Sequence, residues 1–155
     1  MASGPFVFSQ LTKLNMFEGA TGLLKTGSAL YRLVLVTNSW VPAPTTDELY
    51  SVIGANELAT GFGYTSGGGT LTSVALTQSA GVVKFTSAAF VWTASAGSIP
   101  LWRYGVIYYL GTLNSKLNPL VGYFLGDSTP ADVPATTSGN TLTVTPNASG
   151  IMSAT

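Results

Sequence analysis

The chain contains no cysteine and no histidine. Without cysteine there is no disulfide framework, no thiolate nucleophile and no zinc-thiolate site, so the fold rests on packing. Without histidine, serine triads, cysteine dyads, imidazole-ligated metals and imidazole general bases are excluded. Charge is scarce too: six basic and six acidic residues among 155 give a formal net charge of zero, where an ordinary domain is about one quarter charged. The basic residues form no run, so there is no electrostatic footprint for DNA or RNA. A neutral surface rich in Ser, Thr, Gly and Ala repels its neighbours weakly. That suits a protein surrounded by other subunits, and equally an extracellular β-domain with hydroxyl-rich faces. No segment reaches the roughly 18 consecutive apolar residues of a membrane-spanning helix. The N-terminus lacks the basic region and apolar run of a signal peptide, so synthesis in a cytoplasm is expected.

What is present is β-strand patterning. Leu30 to Thr37 is a nearly continuous apolar run, which predicts a central strand buried on both faces. Strands are predicted over Thr70–Thr77, Val82–Ser87, Ala88–Ala94, Leu101–Leu110, Leu120–Leu125 and Thr141–Thr145, with a hairpin through Gln78–Gly81. The glycines at 61, 63, 67, 68 and 69 predict tight bends, with Tyr64 at a corner. Two helices are expected. Ser9 caps a short one with Leu11, Leu14 and Phe17 on its apolar face before Gly19 and Gly22, and Thr45 and Glu48 stand at capping-box spacing ahead of another over Asp47–Ile53. The fold class is therefore mainly β, a sandwich or jelly-roll-like single domain with one or two short helices. Residues 1–28 form an N-terminal arm or helical segment, 29–145 the β-sandwich domain and 146–155 a C-terminal tail. The stretches Ser128–Asn140 and Pro146–Thr155 are low in complexity, and extended termini of this kind are ordered when neighbours hold them.

Chemistry is thin. Two carboxylates across a cleft serve glycoside hydrolysis, and the candidates are Glu18, Asp47, Glu48, Glu57, Asp127 and Asp132. Asp47 and Glu48 sit in the first turn of the predicted helix, where negative charge complements the dipole. Asp127 and Asp132 could share a cation, but two loop carboxylates make a poor calcium site without further oxygens. Arg103 lies in a strand that is otherwise apolar on both faces and needs a carboxylate, for which Glu57 is the expected partner. Gly67-Gly68-Gly69 lacks the lysine and following helix of a phosphate loop. Trp92 and Trp102 read as core, whereas Trp40, in the loop before Pro42 and Pro44, reads as an anchor for a subunit contact.

The segments Val34-Leu35-Val36-Thr37, Asn56-Glu57, Gly63-Tyr64, Gly68 to Thr72, Trp92-Thr93-Ala94, Arg103 to Tyr108 and Leu120 to Tyr123 occur in a distinctive order. In this order the chain, over residues 30–126, resembles a family of small virion structural proteins of tailed bacteriophages. The first 29 residues and the C-terminal tail depart from that pattern. The resemblance implies a non-enzymatic capsid decoration, or cement, protein that binds the major capsid protein or other virion proteins as a homo-oligomer. It implies no catalytic residue, cofactor or metal, no nucleic-acid or membrane partner, and a location in the virion. Trp40, Tyr31, Phe6 and Phe8 are the expected partner contacts, with Glu57 and Arg103 a structural ion pair. The alternatives are a tail, fibre or baseplate component that binds host-surface glycan, and a head-to-tail structural protein.

Overall fold

The computed structural model describes residues 3–18, 26–129, 131–147 and 150–154. In chain order its elements are β1 (Val7–Phe8), α1 (Gln10–Phe17), β2 (Tyr31–Val36), α2 (Tyr50–Ile53), β3 (Gly69–Thr70), β4 (Ala75–Ser79), β5 (Val82–Thr86) and β6 (Phe90–Thr93). There follow β7 (Tyr104–Tyr109), β8 (Thr112–Leu113), β9 (Lys116–Leu117), β10 (Leu120–Leu125), β11 (Thr141–Val144) and β12 (Met152–Ala154).

Leu33-Val34-Leu35-Val36 offers no polar face to solvent, and β2 accordingly lies inside a five-stranded antiparallel sheet of order β1-β10-β7-β2-β3. Alternation of side chains divides β2 and β7 between two cores. Tyr31, Leu33, Leu35, Ile107 and Tyr109 face Phe85 of β5, Trp92 of β6, Tyr64 and Ile99. On the opposite face Val34, Val36, Val106, Tyr108 and Leu120 pack under Trp40 and Ile53. The pair β11–β6 and the sheet β12-β5-β4 supply the second layer. The result is mainly β, antiparallel and without a closed barrel.

Several boundaries differ from the predicted ones for identifiable reasons. The strand expected over Thr70–Thr77 is broken by Ser73, which takes φ 52°, into β3 and β4. The second helix is shorter than expected. Asp47 accepts hydrogen bonds from the Ala43 N–H and Trp40 Nε1, closing a turn, so α2 begins at Tyr50 without a side-chain cap. In α1 the Ser9 cap forms as expected, but the helix turns a different face inward. Ser9 and Thr12 hydroxyls both donate to the Leu120 carbonyl, at 2.7 and 2.8 Å, and the buried residues are Leu11, Thr12 and Asn15. At about 100° per residue a spacing of three slips by roughly 60° each step, so Phe17 ends about 120° away from Leu11. Gly19 and Gly22 lie outside the described residues.

The described parts of both termini belong to the chain's own sheets, where sequence patterning suggests extended arms. β1 pairs with β10 and the Gly4 N–H donates to Leu125 O at 2.9 Å. β12 pairs with β5.

Candidate functional site

Glu57 lies at the centre of the best-formed polar cluster. It is only 9% exposed, and its carboxylate accepts from Tyr50 Oη, from Tyr64 Oη at 2.6 Å, from Ser66 Oγ at 3.1 Å and from the Gly67 N–H at 2.8 Å. Tyr64 Oη in turn accepts from the Leu35 N–H, and Tyr108 Oη donates to Gly67 O. Burial first, and then donation to Glu57, pushes the Tyr50 phenol up to about 12 and raises Tyr64 further. Both phenols therefore remain donors at neutral pH. A carboxylate holding four donors is fully occupied, and its effect is to clamp the glycine corner to the central sheet. Gly68 sits in that corner with φ +69°, and a Cβ there would lie 2.1 Å from Leu33 O.

The expected Glu57–Arg103 pair is not formed. Val36 bridges to Glu57 on one side and accepts the Arg103 N–H on the other, so β2 stands between them, and two strand spacings amount to roughly 10 Å. Arg103 Nε instead meets Asp132 Oδ1 at 2.7 Å, and Asn38 Nδ2 donates to Asp132 Oδ2 at 2.9 Å. This pins the loop after β10 to the end of β2. Asp127 accepts from the Thr129 N–H and hydroxyl, which holds its carboxyl below the usual range. The two aspartates thus serve separate local contacts. Among the described residues no group of three or more metal-ligating side chains gathers.

The expected partner contacts divide. Tyr31 is 0% and Trp40 5% exposed. Tyr31 stacks edge-on against Phe85 and Tyr109, and Trp40 against Tyr104 and Tyr123. Both are core residues, and neither presents its ring to a partner in this fold. The two prolines after Trp40 suggested an exposed loop, but the indole N–H reaches Asp47 and the ring closes the second core. Phe6 and Phe8 are half-buried and pack edge-on at 5.6 Å.

Two further surfaces stand out, one that sequence reasoning missed and one walled in part by Phe6 and Phe8. The first is the surface of α1, the β8–β9 hairpin and α2, where large apolar side chains are exposed. Phe17 is 92% exposed, accompanied by Leu14, Leu117 and Val52. Hydrogen bonds hold the three elements side by side. Asn114 Nδ2 donates to Asn15 Oδ1 at 2.9 Å and to Glu18 Oε2 at 3.2 Å, Lys116 Nζ meets Glu48 Oε2 at 3.3 Å, and the Tyr50 N–H donates to Asn118 O. The clue in the sequence was the pair Thr12 and Asn15, whose burial forces Phe17 outward.

The second surface is a cleft of about 820 Å³ between β1 and β11, walled by Phe6, Phe8, Phe124, Leu142, Val144 and Ile151. Among the described residues, none that lines it is charged.

No protein-family model, curated protein or solved structure matches the chain.

Proposed function

We propose that the chain is a non-enzymatic structural protein of a bacteriophage virion, a decoration protein that binds the assembled shell. The order of motifs from Val34 to Tyr123 carries this reading. The structure adds support of a different kind. Val34–Thr37, Arg103–Tyr108 and Leu120–Tyr123 fall on or beside three adjacent strands of the central sheet, and Asn56-Glu57, Gly63-Tyr64 and Gly68–Thr72 build the clamped corner beside it. The motifs therefore describe one scaffold, and the partner-specific surface lies elsewhere.

That surface is the face bearing Phe17, Leu14, Leu117 and Val52. Docked on a lattice, many such neutral contacts add through multivalency and stabilise the shell by binding only its assembled form. Trp40, expected from the sequence to anchor a subunit contact, is buried, so in this proposal that role passes to the exposed face.

Counting copies in purified particles tests this. Decoration gives on the order of hundreds of copies per particle, whereas a tail, fibre or head-to-tail part gives a dozen or fewer. On shells lacking the protein, Phe17→Asp is expected to lower occupancy at least about tenfold without lowering the melting temperature, because Phe17 is almost wholly exposed. Undiminished binding by that variant would remove this face from the interface.

A further inference from the structure

We infer that β11 is a self-pairing edge, through which two copies of the chain associate about a two-fold axis to form a continuous β6-β11-β11-β6 sheet beside the cleft. β11 has β6 as its one strand neighbour among the described residues. The Ala94 N–H donates to Asn140 O at 2.9 Å, and hydrogen-bonded partners alternate along an antiparallel ladder. Leu142 and Val144 therefore bond β6, while the main-chain groups of Thr141, Thr143 and Thr145 point to the open edge. The side chains of those three threonines are exposed, and Leu142 and Val144 are half-buried against the core, with Thr143 and Thr145 also at the cleft.

Natural edge strands are usually guarded by a charge, a proline or a bulge. Residues 141–145 contain neither a charge nor a proline, Pro146 following them, and the four residues of β11 keep a regular register against β6. The edge of β4 is guarded differently: its Leu76 N–H donates to Thr26 Oγ1, and the Gly27 N–H donates to Val74 O.

The occupant follows from a symmetry in the sequence. Thr141-Leu142-Thr143-Val144-Thr145 reads the same in both directions as an alternation of hydroxyl and apolar residues centred on Thr143. Laid antiparallel on itself, it places Thr143 opposite Thr143, Leu142 opposite Val144 and Thr141 opposite Thr145. The outward main-chain groups then meet in hydrogen-bonded pairs, and the apolar side chains meet on the side of Phe6 and Phe8. A second copy brings this pattern into register about a two-fold axis, which is the commonest symmetry of self-association.

The inference goes beyond the proposed function, which concerns docking on the shell. It is read on the isolated chain, so either can fail while the other stands. Sedimentation velocity over a concentration series is expected to show a reversible monomer–dimer equilibrium. Thr143→Lys, which sets like charges opposite each other at the axis, is expected to weaken it at least about tenfold. Thr143→Cys is the only thiol in an otherwise cysteine-free chain, and directly opposed residues in a hydrogen-bonded pair lie about 5.5 Å apart at Cα, within disulfide reach. Mild oxidation is expected to convert that variant, but not Thr77→Cys on β4, into a covalent dimer. Unchanged far-UV circular dichroism confirms that the variants fold. A wild-type chain that stays monomeric throughout overturns the inference, as does a dimer that survives Thr143→Lys or is not trapped through Thr143→Cys.

Discussion

At the scale of single residues, the chain concentrates its few polar resources on internal clamps. Glu57 binds four donors, and Asp132 joins Arg103 to Asn38. Tyr50 gives the Glu57 clamp a pH signature. Its folded-state pKa is raised from 10.0 to about 12, so the folded chain holds this proton where the unfolded chain has released it. The associated stability is present below pH 10 and is lost as pH rises towards 12. Melting temperatures measured from pH 8 to 12 are expected to fall across that window, and to fall less steeply in Tyr50→Phe; an unchanged slope would show that Tyr50 does not contribute. The need of Arg103 for a carboxylate was legible in the sequence. Which carboxylate satisfied it was not, because the choice depends on which strands flank Val36.

At the scale of elements, strands were legible wherever apolar periodicity and turn residues agreed. The hairpin β4–β5 turns on Ala80-Gly81, both at positive φ, as a two-residue turn requires. Phe90 and Trp92 share the inward face of β6 as alternation predicts. The inward face of α1 was not legible, because hydrophobicity put Leu14 and Phe17 inside and two hydroxyls bonding Leu120 O turned them out. The glycine corner makes a quantitative prediction. Gly68→Ala combines a left-handed backbone with a Cβ 2.1 Å from Leu33 O, and strain of this kind costs about 2–4 kcal/mol. Urea denaturation is expected to show at least that loss, and a near-neutral substitution would mean that the corner relaxes freely.

At the scale of the whole molecule, the layered β architecture was legible and the contact surfaces were not. Aromatics next to prolines attracted attention to Trp40, yet burial is a property of the assembled fold, and Trp40 closes its second core. The exposed face at Phe17 and the free edge at β11 emerge only when the elements are placed together.

The Glu57 clamp has a consequence for the order of folding. Its donors lie within ten residues along the chain, whereas β2 pairs with β7 across a long separation, Tyr31 opposite Tyr109. Short loops close early and at low entropic cost, while distant strands meet late. The segment from Tyr50 to Gly67 is thus expected to act as a local nucleus on which the sheet condenses. Tyr64→Phe, which removes a donor to Glu57 and the acceptor of the Leu35 N–H, should cost about 1–3 kcal/mol. That loss is expected to appear mainly as slower folding, whereas Leu142→Ala is expected to act mainly on unfolding. Stopped-flow kinetics showing the reverse would place the nucleus elsewhere.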